Sequence, residues 1–267
     1  MPVDVEYLIA TTNRSDLEFL RKMNITDPVI VMNQNGRNEA LCAGKNVMFS
    51  TSTRGVGINR NIALNLAKAE YGFIVDDDMV FYDGANELME RALQTYPEAD
   101  VVIFNFDYMK DGKLVRPRMK KTGAINITNC LNYGICCTLI KMSSIRKKNI
   151  SFSTLFGGGC IYSCGEDSLF FLDCVRKGLK IYTYHEPIGK NEYRDSTWFK
   201  GYNEKFFYDK GAWIACAFPQ LKHLMKWYFV MRLGRLSDIS LKNVIREIDC
   251  GIKGYNQIAR YSGEDEK

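Results

Sequence analysis

The sequence predicts an α/β fold, a mostly parallel sheet with helices on both faces, followed by a C-terminal helical extension. Three observations carry this expectation. In the first half, short apolar runs alternate with segments of helical periodicity, and strands separated by helices build parallel sheets covered on both sides. Beyond about residue 200 the pattern turns helical, with no Pro- or Gly-rich linker to mark the change. Finally, three consecutive carboxylates, Asp76, Asp77 and Asp78, follow directly on the apolar run Tyr71-Gly-Phe-Ile-Val75. In open sheets of this class, ligands bind beyond the carboxyl ends of the strands.

Along the chain, residues 5–10 read as an apolar strand, 16–23 as a short helix and 28–33 as a second strand; 46–50 is a third. Residues 57–69 form a helix with Ile58, Ile62, Leu66 and Ala69 on one face, and 71–75 is the strand that carries the carboxylates. Asp83-Gly84 turns into a helix with Leu88, Met89, Ala92 and Leu93 at helical spacing, and 100–106 returns as a strand. Residues 113–126 suggest short, antiparallel segments around a turn, and 134–141 an apolar strand that includes Cys136 and Cys137. After the glycine-rich loop Phe156-Gly-Gly-Gly-Cys160, a helix runs from about Gly165 to Lys177, where Gly178 closes it. Residues 179–184 are a further strand, and Ile239, Val244, Ile245, Ile248 and Ile252 stripe the last long helix. The resulting division is a catalytic domain over 1–200 and a helical region over 201–267 packed on it.

Composition narrows the class. A chain of 267 residues with 46% hydrophobic and 25% charged residues can bury one large core or two small ones. The opening lacks a basic leader, and no apolar stretch reaches the roughly 20 residues of a membrane span. The nine cysteines form no Cys-x-x-Cys pair, which argues against zinc and for reduced thiols in a cytosolic protein. The net charge of +5 is unevenly spread, for residues 210–237 hold five Lys or Arg and no acid, among Trp, Tyr, Phe and Met. Such a stretch suits either an anionic membrane surface or an ordinary core helix with solvated cations. No nucleic-acid-reading motif accompanies it, so no nucleic acid partner is expected.

Carboxylates crowded at a strand end repel one another unless a cation sits among them. In extended backbone Asp76 and Asp78 share one face and Asp77 takes the other. Such oxygen ligands suit Mg²⁺ or Mn²⁺, although a solvated acidic loop would look the same. An EF-hand is excluded, because Phe81 stands where its loop requires glycine.

In sequence order these pieces resemble glycosyltransferase family 2 and its Rossmann-like GT-A fold. Leu8-Ile-Ala-Thr-Thr-Asn-Arg14 resembles the family's first strand and turn, where the nucleotide base lies. Arg54-Gly-Val-Gly-Ile-Asn-Arg-Asn61 resembles its helix-opening segment ending in Arg-Asn. Asp76-Asp-Asp78 stands at the Asp-x-Asp motif and Glu166-Asp167 at the later Glu-Asp motif. The stretch 196–205 is similar to one in bacterial surface-polysaccharide members.

The resemblance implies donor-binding roles for Thr11, Asn13, Arg14, Asn33, Arg60, Asp76 and Asp77, with Arg60 facing the diphosphate. It implies Asp78 as direct ligand of Mn²⁺ or Mg²⁺ and Asp76 beside it. His185 is a further candidate ligand, or else a structural histidine. Asp167 is the implied general base, and Glu166 its neighbour on the acceptor side; a helix-capping pair is the competing reading. A salt bridge at the surface competes with the donor role of Arg60. Asn33 and Gln34 depart from the family, many of whose members use aspartate there for base recognition. The Gln-x-x-Arg-Trp motif of processive synthases is missing, which implies transfer of a single sugar.

The expected activity is therefore inverting, metal-dependent transfer from a nucleoside-diphosphate sugar, UDP-linked by preference. The acceptor would be a saccharide or lipid-linked saccharide of a capsule, exopolysaccharide or O-antigen pathway. The protein is expected in the cytoplasm, peripheral on the membrane's inner face. A sugar-nucleotide nucleotidyltransferase would share the metal carboxylates but release pyrophosphate. A non-catalytic sugar-nucleotide or membrane-surface binding protein is the third possibility.

Overall fold

The computed structural model describes residues 2–117, 119, 121–192 and 199–262. Of the stretch 196–205, residues 196–198 lie outside them. Two compact units result, one formed by 1–154 with 166–194, the other by 155–165 with 195–267.

The first unit is built on an eleven-stranded sheet. Its elements are β1 (Val5–Thr12), α1 (Leu20–Met23), β2 (Val29–Gln34), β3 (Glu39–Ala43), β4 (Asn46–Thr51), α2 (Val56–Leu66), β5 (Tyr71–Val75) and β6 (Val80–Phe81). They continue with α3 (Ala85–Thr95), β7 (Val101–Lys110), β8 (Lys113–Pro117), β9 (Gly123–Ile125), β10 (Thr138–Lys141), α4 (Met142–Lys147), α5 (Glu166–Arg176) and β11 (Ile181–Glu192). The order is β3-β4-β2-β1-β5-β10-β7-β11-β6, with β8 on β7 and β9 on β11. Strands β4, β2, β1 and β5 run parallel, whereas β10 lies antiparallel between β5 and β7. The sheet is thus mixed. The turn residues Gly44 (φ 62°), Asp111 (φ 51°) and Gly112 (φ 73°) allow the β3–β4 and β7–β8 hairpins.

Burial follows the sheet. Tyr7, Phe73, Phe81 and Phe104 form an edge-to-face aromatic column with centroids 5.2–6.0 Å apart. Around it Ile9, Val31, Val75, Leu139 and the α3 residues Leu88, Met89 and Ala92 are buried. Helix α2 differs from expectation. It buries Gly57, Asn59, Ala63 and Leu64, while Leu66 is exposed. Its small residues bring the backbone in close, since a Cβ on Gly57 would collide with the carbonyl oxygen of Ser153. Strand β10 is shorter than the apolar run predicts. Cys137 sits at φ 61°, which takes the two cysteines out of extended conformation. Gly178 (φ 78°) closes α5 as its left-handed terminus.

The second unit consists of α6 (Glu204–Ala217), α7 (Lys222–Leu233), α8 (Leu241–Ser262) and the loop 155–165. The loop groups with the helices because Phe156 and Tyr162 pack with Tyr255, and Ser163 donates to the buried Asp209 carboxylate (2.8 Å). Val244, Ile248 and Ile252 are buried along α8, as its stripe predicts. Helices α6 and α8 meet backbone to backbone. A Cβ on Gly211 would strike the Ile248 carbonyl oxygen, and one on Gly251 that of Tyr208. Among the described residues no helix is long and apolar enough to cross a membrane.

The glycine contact sets a test. Helix propensity alone makes Gly251→Ala stabilising by about 1 kcal/mol. Backbone collision makes it destabilising by about 1–3 kcal/mol instead, because no rotamer change relieves it. Urea denaturation of the variant should show the loss.

Candidate active site

The carboxyl ends of β1, β2 and β5 lie side by side. Thr11 pairs with Asn33 across β1 and β2, and Ile9 with Val75 across β1 and β5. The trailing turns of these strands therefore converge on one edge and bring together Asn13 and Arg14, Gln34, and the aspartates. Residues 76–79 form a turn, with the Met79 N–H donating to the Asp76 carbonyl at 3.4 Å, and not extended chain. The three side chains still separate.

Asp76 belongs to a group of charges. The Arg60 guanidinium, from the first turns of α2, donates to Asp167 Oδ1 (3.0 Å) and lies 3.3 Å from Glu166 Oε1. Its side chain is largely buried and stacks over Phe152 at 5.4 Å, so this is no surface salt bridge. Burial opposes its charge, but Asp167, Glu166 and Asp76 outweigh that and hold its pKa above the ordinary arginine value. Burial pushes the Asp76 carboxyl above the ordinary range. Arg60 and a hydrogen bond from the Cys136 thiol oppose the shift, while Asp78 and Asp167 add to it. Glu166 and Asp167 open α5, where the helix dipole favours carboxylates. The oxygens of Asp167 go to Arg60 and to the Ile135 N–H (3.1 Å), not to N–H groups of its own helix. Cys136 and Ile135 are members that sequence reasoning missed. An apolar run ahead of a strand carries no signal of a polar contact.

Asp77 turns to the other side. Its Oδ2 accepts from the Thr11 hydroxyl (2.5 Å) and from Arg14 Nη2 (2.7 Å) and Nε (3.1 Å). Asp78 Oδ1 accepts from the Asn191 amide (2.9 Å), at the far end of β11. Asn13 is exposed at φ 56° in the turn after β1.

Two of the expected site residues have other partners. Asn33 is fully buried, and its amide binds the Arg14 backbone in both directions (3.0 and 2.8 Å) as well as the Ser50 hydroxyl (3.1 Å). It shapes the turn that presents Asn13 and Arg14, and both of its amide N–H groups are taken. His185 is exposed and bound to the Thr122 hydroxyl at 2.7 Å. Its neighbour Tyr184 pairs with Phe104, whereas Asn191 pairs with Tyr108. Four strand residues, roughly 13 Å, thus separate His185 from the residue that touches Asp78. Among the described residues no three His, Cys, Asp or Glu converge to hold a metal ion. A cavity of about 390 Å³ lined by Asn61, Leu64, Met142 and Arg146 contains none of these charged site residues.

Residues 38–157 match the family model described as Glycosyl transferase family 2, a span that includes Arg60 and the aspartates but stops short of Glu166-Asp167. No curated protein sequence matches the chain. The fold is similar to the crystal structure of S. aureus TarS 1-349 in complex with UDP-GlcNAc, at 17% identity and TM-score 0.58. That likeness covers 88% of this chain and 74% of the other. The same S. aureus protein in complex with UDP matches at 17% identity and TM-score 0.54, over 84% and 69% of the two chains.

Arg60 gives a stability test. Removing one partner of a buried ion pair costs about 3–5 kcal/mol. Asp167 is 32% exposed, so Arg60→Met should cost less, about 2–4 kcal/mol. Arg91→Met breaks an exposed pair with Glu186 and should cost under about 1 kcal/mol. Chemical denaturation of both variants compares them.

Proposed function

We propose that this chain, whose residues 38–157 match the Glycosyl transferase family 2 model and whose fold is similar to that of the S. aureus TarS structures, is a glycosyltransferase that moves one sugar, with inversion, from a UDP-sugar to a saccharide acceptor. The observation that carries the reading is the set of carboxylates Asp76, Glu166 and Asp167 around the Arg60 guanidinium, beside the carboxyl ends of β1, β2 and β5. The UDP moiety is favoured by the ligands in the two S. aureus structures. The acceptor is a saccharide or lipid-linked saccharide of surface polysaccharide synthesis, which would bring the enzyme to the cytoplasmic face of the membrane.

The donor end needs positive charge. Among the described residues Asp76, Glu166 and Asp167 surround the Arg60 guanidinium, and Asp78 adds its charge beside Asp76. Asp76 and Asp78 therefore suit a divalent cation of the Mg²⁺ or Mn²⁺ kind, which takes one or two carboxylates and fills its other positions with phosphate and water. Asp78 would be the direct ligand, with Asp76 beside it. Such an ion supplies charge neutralisation to the departing diphosphate. Arg14, fixed by Asp77, and the exposed turn at Asn13 border the same edge and bind the nucleotide.

At the acceptor end Asp167 is the base. Each carboxylate oxygen offers two lone pairs, and Arg60 and the Ile135 N–H take one on each. A lone pair remains to accept the proton of an incoming hydroxyl. That oxygen then bonds to the anomeric carbon as the bond to the diphosphate oxygen breaks on the opposite face. Arg60 keeps Asp167 ionised and fixes its rotation, and Glu166 holds the acceptor side.

Two variants separate the roles. Asp167→Asn keeps the shape and loses the base, so turnover should fall about 10²–10⁴-fold while UDP affinity measured calorimetrically stays within about twofold of the native value. Asp78→Ala should do the reverse, weakening Mn²⁺-dependent UDP binding by at least about tenfold, or 1.4 kcal/mol. A panel of nucleotide sugars, scored by the nucleotide released, identifies the donor. Native turnover in Asp167→Asn, or release of pyrophosphate, would contradict the reading.

A further inference from the structure

Helix α7 is amphipathic in the wrong sense for a solvated helix. Its inner side carries Val230, which is buried, Phe229, which packs edge-on against Trp213 at 5.7 Å, and Lys226, whose ammonium binds Asp249 at 2.9 Å. The outer side carries Leu224, Trp227, Tyr228 and Met231, which are 66%, 50%, 42% and 70% exposed. Their spacing of three, four and seven residues puts them on one stripe. Leu221 and Leu236 extend it at either end, each more than half exposed. A contiguous apolar stripe of this kind marks an interaction surface.

Its surroundings select the partner. Arg232 and Arg235 flank the stripe, both exposed, and the chain from 210 to 237 holds no acidic residue. Arg232 also donates to the Tyr228 hydroxyl at 2.6 Å, which holds a cation at the edge of the apolar face. Apolar residues in the middle, Trp and Tyr within, and cations at the rim match the boundary between acyl chains and anionic headgroups. A second copy of the chain fits less well, because a two-fold contact pairs this stretch with itself, and with no acid in 210–237 neither copy offers the other's arginines a carboxylate from it. One face of a 12-residue helix, about 18 Å long and about 10 Å wide, also offers only roughly 200 Å², short of the about 800 Å² per partner of a standard interface. The same length is too short to span a bilayer.

We infer that α7 docks in the plane of an anionic membrane surface, with Leu224, Trp227 and Met231 buried among the lipids and Arg232 and Arg235 on the headgroups. The inference extends the reading of a lipid-linked acceptor. Vesicle binding is measured without donor or acceptor, so its failure and the failure of the transferase reading can be told apart. The test is co-sedimentation of the full chain with phosphatidylcholine vesicles, with and without phosphatidylglycerol. Binding should require the anionic lipid and weaken as salt is raised. Leu224→Glu/Met231→Glu should lower partitioning at least about tenfold, and Arg232→Gln/Arg235→Gln by about fivefold per charge removed. Trp227→Phe should bind like the native chain. Circular dichroism should show native helix in each variant, and hydrolysis of a nucleotide sugar should be unchanged. Failure to sediment with anionic vesicles, or equal binding by the glutamate variant, overturns the inference. Self-association in sedimentation velocity that the glutamate variant abolishes, without vesicle binding, overturns it in favour of a second copy.

Discussion

Carboxylates at the end of β5 and at the start of α5 have no reason to gather in a half-buried space, and the guanidinium of Arg60 is what lets them. At 3.0 Å from Asp167 the gross attraction is about 5 kcal/mol for an effective dielectric near 20. Desolvation of each ion costs several kcal/mol and offsets most of it. The net gain in stability is therefore small, and the consequence is positional. Arg60 ties α2 to the first turn of α5 across 107 residues of chain, and Asp76 lies within the field of both.

The sheet supplies the other constraint. Parallel pairing of β2, β1 and β5 forces their trailing turns onto one edge. The polar residues there divide the labour. Asn33 divides its amide between the Arg14 backbone and the Ser50 hydroxyl, and Asp77 fixes Arg14 and Thr11. Only Asp76 and Asp78 then remain on the Arg60 side. Three adjacent aspartates thus have three environments, one against Arg60, one against Arg14 and one against Asn191.

Much of this was legible from residue order. The apolar runs of β1, β2 and β5, the amphipathic α3 and the Gly178 terminus of α5 lie where periodicity expects them, because local pattern decides them. Other elements escaped for physical reasons. The β3 residues are all exposed and show no alternation, and β6 has two residues. Strand β11 continues past Tyr184 through His185, Glu186 and Pro187, which break the apolar signal. In α2 the buried face runs through Gly57, Asn59, Ala63 and Leu64, so Leu66, expected inside, is exposed. The site followed the same rule. Single positions such as Arg60, Asp76 and Asp167 could be singled out, but the pairing of Arg60 with Glu166 and Asp167 depends on contacts more than a hundred residues apart. The settings of His185 and Asn33 were not legible because residue type says nothing of burial or of distance along a strand. The stripe on α7 has the period of a core-facing helix, and only its exposure reveals that it faces away.

The decisive measurement is anomalous diffraction from a crystal grown with Mn²⁺ and UDP. The account predicts one manganese peak bound by Asp78 with Asp76 beside it, diphosphate oxygens on its open side, and the Arg60 guanidinium still on Asp167. A manganese ion held elsewhere, or UDP bound away from the ends of β1, β2 and β5, would contradict it.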